Sequence, residues 1–148
     1  PDDSIYDHPF QWGSRRIGPD LHRVGGKYPH LWHVNHMEKP QAVVQNSIMP
    51  AFGWLLSDDL DFGQVQRSVD AMVMLGVPYG ELAKEGAAVT AAKDQAATIA
   101  KDIVEQGGPK GLEGKKIIAM VAYLQRLGIA IKAPAAAAAA KAATGGAQ

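Results

Sequence analysis

The sequence has 148 residues with 15 basic and 15 acidic side chains, so its formal net charge is zero. A general nucleic-acid binder needs a basic excess, which this balance excludes. Cysteine is absent, so disulfides, zinc–thiolate sites, iron–sulfur clusters and cysteine nucleophiles cannot come from these residues.

The length suits one domain with tails, able to bury roughly 70% of its unfolded surface. The hydrophobic fraction of 47% overstates the core, because much of it is alanine, which buries little area. The chain begins at Pro1 and is expected to be a processed or truncated product, with any signal peptide or anchor upstream. Its most apolar stretch, Ile117 to Ile131, would be about 22 Å long as a helix and includes Gln125, Arg126 and Gly128. A bilayer core needs about 30 Å, so this stretch does not read as a membrane span.

Residues 1–29 are dense in aromatics and turn formers, among them Tyr6, Phe10, Trp12, Gly18, Pro19, Gly25 and Gly26. They read as an ordered loop. Such a loop packs against a flat apolar object or simply covers its own core. A short helix is predicted over His30 to Glu38, stopped by Pro40. Residues 41–56 carry no clear period.

Asp58 or Asp59 is placed to cap a helix from about Leu60 to Leu75. Phe62, Val65, Val69, Met72 and Val73 fall on one face of it. A further helix, starting at Glu81 or Val89 and ending near Gln106, carries a narrow stripe of Val89, Ala92, Ala96, Ile99 and Ile103. The last helix runs from about Gly114 to Leu127, with Ile117, Val121, Leu124 and Leu127 on one face and Gly128 as its C-terminal cap. Residues 133–148 are alanine-rich and read as a disordered tail. No strand is evident, so the fold class is all-α with long ordered loops. Loops of this length are usually functional or held by something bound.

The candidate chemistry starts with the histidines. His30, His33 and His36 recur every three residues, with His22 nearby. On a helix His33 and His36 share a face and could share a metal, although a third ligand is needed and no His-Glu-x-x-His pattern occurs. The other reading is exposed helix histidines with no shared ligand. Ser14 lies between Gly13 and Arg15, outside any nucleophile-elbow pattern, and no glycine-rich phosphate loop is present. Met49, fixed by Pro50, offers a soft thioether that suits haem iron; on its own, such a methionine is usually core filler. Its weight comes from its company: Gly18-Pro19-Asp20-Leu21 upstream and an amphipathic helix downstream.

Together these parts resemble a known family. The run from Tyr6 through His8-Pro9-Phe10-Gln11-Trp12-Gly13-Ser14, Gly18-Pro19-Asp20-Leu21 and Val24-Gly25-Gly26-Lys27-Tyr28 is similar to the mono-haem cytochrome c subunit (subunit II) of cbb3-type cytochrome c oxidases. So are Trp32-His33, Ser47-Ile48-Met49-Pro50, Met74-Leu75-Gly76-Val77-Pro78-Tyr79 and Ala119-Met120-Val121-Ala122-Tyr123-Leu124-Gln125-Arg126-Leu127-Gly128. The likeness covers about residues 4–80 and 115–129.

The resemblance implies a class I cytochrome c-like domain on the periplasmic face of the bacterial inner membrane. It implies haem c as cofactor and transfer of electrons within an oxidase that reduces oxygen and pumps protons. The implied partners are the catalytic haem–copper subunit and the di-haem cytochrome c subunit. By the same likeness Met49 is the distal iron ligand, Pro19 offers its carbonyl to the proximal imidazole, Leu21 packs on the porphyrin and Lys27 meets a propionate. Gly18 and Trp32 complete the cofactor-binding residues.

The family's Cys-x-x-Cys-His segment, which supplies the proximal histidine, and its anchor helix are not among these residues. Both are expected before Pro1, so the cytochrome domain, residues 1–132, is expected to be incomplete. Membrane association would then come through partners or through that anchor. Residues 81–114 depart from the family pattern and are expected to be a peripheral elaboration. The last helix would lack its usual partner, and each large side chain left exposed forgoes about 1.5–3 kcal/mol. The chain alone is therefore expected to be a loose helical ensemble. A haem-free interaction or assembly module docking on a membrane oxidase is the competing reading.

Overall fold

A computed structural model of the chain describes residues 21–129. Six α-helices follow in order: α1 (His30–Glu38), α2 (Pro40–Val43), α3 (Trp54–Ser57), α4 (Gly63–Met74), α5 (Ala87–Glu105) and α6 (Lys116–Arg126). A 3-10 turn, Gly80–Ala83, joins α4 to α5. Among the described residues the only β pairing is an isolated bridge between Asp59 and Lys115. The fold is all-α, as the sequence predicts. The alanine-rich segment 133–148 lies outside the described residues.

Two prolines punctuate the start. Pro29 is the N-cap of α1, where a missing backbone N–H costs nothing. Pro40 interrupts the chain after α1 and begins α2 at its first position, and the Lys39 N–H closes α1 by donating to Asn35 O at 2.9 Å. At the other end, Gly128 adopts φ +74°, the left-handed conformation that suits glycine just past a helix.

The core lies among α1, α3, α5 and α6. Ile103, Ile117 and Val121 are fully buried, joined by Val34 of α1 and Leu55 of α3. Residues 81–114, expected to be peripheral, instead supply a central element: Ala96, Ile99, Ala100 and Ile103 of α5 are all buried. The physical reason is size. Alanines between the isoleucines let α5 approach α6 closely, and the isoleucines then fill the seam. The face of α6 expected to lack a partner is thereby covered, since Ile117, Ile118, Val121 and Leu124 are buried against α5, α1 and α3.

The α4 helix behaves in the opposite way. It packs on α5 and the 3-10 turn, and only Val69 is buried. Met72 and Val73 stay about 40% exposed. Its start also departs from the predicted cap. Asp61 Oδ1 accepts the Gly63 N–H at 2.9 Å, whereas Asp58 and Asp59 face the other way. Their carboxylates pair with Lys116 Nζ at 2.9 Å and Lys115 Nζ at 2.7 Å. Backbone bonds from Leu60 N to Gly114 O and from Lys116 N to Asp58 O complete a clasp on the start of α6. The Lys115 ammonium, by its hydrogen bond and its charge, holds the Asp59 carboxyl below its usual range.

Candidate functional site

A cavity of about 620 Å³ opens between the 21–28 segment, α1, the 44–49 loop and α6. The 21–28 segment is held in place by the end of α6. The Gly25 N–H donates to Leu127 O at 3.0 Å. Gln125 spans both sides of the segment: its Oε1 accepts from Gly26 N at 2.8 Å and its Nε2 donates to Tyr28 O at 2.8 Å. A side chain at Gly25 would meet Gln125 O and Leu127 O at 2.5 Å, so only glycine permits this approach.

The floor of the cavity is an aromatic ladder. Tyr28 and Trp32 stack at 4.0 Å between ring centroids, and Trp32 and His36 stack at 4.7 Å. The i, i+4 spacing puts Trp32 and His36 on one flank of α1, and Tyr28, just before the helix, continues the stack. His33 stands edge-on to both Tyr28 and Trp32 and is buried. Its Nε2 and the Nδ1 of His36 are buried without a hydrogen-bond partner. Burial, and secondarily the charges of His30 and His36, push the His33 pKa down, favouring the neutral imidazole.

Leu21, Lys27, Trp32 and Met49, all singled out in the sequence, line this one cavity. Gly18 and Pro19 lie outside the described residues. The triple-histidine metal reading is corrected: among the described residues no three His, Cys, Asp or Glu side chains converge on a metal position. His30 turns away, with its Nδ1 3.3 Å from Asp102 Oδ2. Sequence reasoning did not assign Val24, Tyr28, Met37 or Leu124 to the cavity, which they line. The i, i+4 spacing of Tyr28, Trp32 and His36 was the one available signal.

The family described as cytochrome c oxidase, mono-heme subunit/FixO, matches residues 1–131. The chain belongs to that family. Comparison with curated proteins finds no match. Membership makes the chain a cytochrome c oxidase subunit of the electron-transfer type, with other oxidase subunits as its partners. No helix among the described residues is long and apolar enough to cross a membrane.

The residues present fit a haem. The volume lies within the range of about 300–1,000 Å³ typical of ligand sites. Leu21, Val24, Trp32 and Leu124 give apolar walls for a flat ring, while Arg23 and Lys27 put cationic side chains along the 21–28 lip. A soft sulfur ligand is available at Met49. Thioether attachment is a different matter, since the sequence has no cysteine.

Proposed function

We propose that this chain is the electron-carrying subunit of a cbb3-type cytochrome c oxidase and that its cavity is the distal half of a haem c site. The observation that carries the reading is the placement of Met49 on the same apolar wall system as Leu21 and Trp32, with Lys27 at the lip. Haem c, when bound, supplies a one-electron iron couple. The protein residues bind it, orient it and exclude water.

In this reading the Met49 thioether would be a ligand to the haem iron, and a His/Met pair would raise the potential relative to other ligand sets. Leu21 and Trp32 cover the ring, which lowers the local dielectric and further tunes the potential. Lys27 would pair with a propionate. Gly18 and Pro19, outside the described residues, keep the roles that the family likeness implies: Gly18 would bind the cofactor and the Pro19 carbonyl would orient the proximal imidazole. A proximal histidine and thioether bonds would need a Cys-x-x-Cys-His segment, and these 148 residues contain no cysteine. The haem, once bound, would let this chain carry electrons towards the catalytic haem–copper subunit, alongside the di-haem cytochrome c subunit, at the periplasmic face of the inner membrane.

The absence of cysteine favours one competing reading, a haem-free assembly module docking on the oxidase. The discriminating experiment is a reduced-minus-oxidised visible spectrum of the full-length subunit, parent and Met49→Ala. A c-type spectrum whose red-region sulfur-to-iron band disappears in the variant supports the electron carrier. A spectrum without haem transfers the case to the assembly module.

A further inference from the structure

The loop carrying Met49 is held by hydrogen bonds, with little help from burial. Ile48 is wholly exposed and Val44 is half-exposed, so apolar packing cannot fix the turn. Downstream, the chain is anchored where the Phe52 N–H donates to Met37 O at 2.7 Å. Upstream, Ser47 N donates to Val44 O at 2.9 Å, and Ser47 Oγ accepts from Met49 N at 3.2 Å.

The remaining tie comes from α2. Gln41 Nε2 donates to Ser47 O at 3.0 Å and to Met49 O at 3.3 Å. A carboxamide has two N–H donors, and here they bracket the two carbonyls on either side of Ile48. Gln41 is thus joined to the backbone of Met49 while lying on a different element from the one that Met49 occupies.

We propose that Gln41 is the positioning residue for Met49, its carboxamide fixing the Ser47–Met49 backbone and thereby the presentation of the thioether to haem iron. The inference rests on reading the cavity as a haem site. Gln41 itself does not touch the cofactor. Loss of its two bonds removes the ties from α2 and leaves the turn to the Ser47 and Phe52 bonds, because neither Ile48 nor Val44 holds it down by burial.

The test uses the full-length, haem-loaded subunit. The readouts are the red-region sulfur-to-iron band, the pH at which that band is lost and the reduction potential. Gln41→Leu removes the donors, and Gln41→Glu replaces them with an acceptor that repels both carbonyls. Both variants are expected to lose the band about one pH unit earlier, a roughly tenfold weakening consistent with hydrogen bonds of ordinary strength, and to lower the potential. Gln41→Lys keeps a donor at similar reach and is expected to bring the pH at which the band is lost back to the parent value, whereas its added charge shifts the potential independently. Parent-like midpoints and potentials in both Gln41→Leu and Gln41→Glu would overturn the inference while leaving Met49 as ligand. Persistence of the band in Met49→Ala would instead remove the reading beneath it and the inference with it.

Discussion

Gly25 and Leu127 meet backbone to backbone, the Gly25 amide donating to the Leu127 carbonyl at 3.0 Å. Gly128 makes the reciprocal approach, where an added Cβ would lie 2.4 Å from His22 O. Gly25→Ala should therefore force the lip of the cavity away from α6. Overpacking of this kind costs about 1–3 kcal/mol, and Gly128→Ala adds left-handed strain to a similar clash. Chemical denaturation of the two variants measures the cost. Unchanged midpoints would mean that the lip is not seated on α6.

Gln125 carries the same junction through its side chain. Its two bonds, to Gly26 N and Tyr28 O, are each worth about 0.5–1.5 kcal/mol. Gln125→Ala is expected to destabilise the protein by about 1–3 kcal/mol, the sum of the two bonds. Gln125→Glu should lose only the half donated to Tyr28 O. A thermal denaturation series of parent, Glu and Ala variants should rank them in that order.

The core assignment of α5 is tested by truncation. Ile103 is fully buried, and Ile103→Ala should cost about 2–5 kcal/mol. Met74, at the end of α4, is 86% exposed, and Met74→Ala should stay within about 0.5 kcal/mol. Equal effects at the two sites would return α5 to the periphery.

Acid should weaken the packing around His33. Its folded pKa lies below the ordinary histidine value because burial disfavours the charged ring. As pH falls through about 6.5, the unfolded chain takes up a proton there before the folded chain does. The contribution of His33 is thus intact above that pH and is lost as pH falls towards the depressed folded value. Thermal unfolding at stepped pH should show a steeper acid-side decline in the parent than in His33→Asn. Parallel curves would rule out His33 as the source.

Much of this was legible in the sequence where side-chain chemistry is local. Pro40 stops α1, Gly128 ends α6, and the likeness around Leu21, Lys27, Trp32 and Met49 led to residues that share one cavity. The weight of α5 was not legible, because alanine gives a faint hydrophobic signal even where its small size is what permits close packing. The α4 stripe misled for the opposite reason. Phe62 packs against the core and Val69 is buried, but Met72 and Val73 stay about 40% exposed: helical spacing says nothing about whether a neighbour exists to cover the whole face. Gln41 carries no pattern at all, since its role depends on a turn that brings Ser47 and Met49 back towards α2.

The fastening of the cavity lip has a consequence for biosynthesis. Gly26 is tied to a side chain 99 residues further along the chain. A nascent polypeptide leaving the ribosome has the aromatic ladder and the Met49 loop long before it has the helix that closes them. The site is consequently among the last parts of the molecule to be completed, and contacts of such long sequence separation form slowly. Until α6 emerges, the half-built pocket stays open on the side that Gln125 and Leu127 will close.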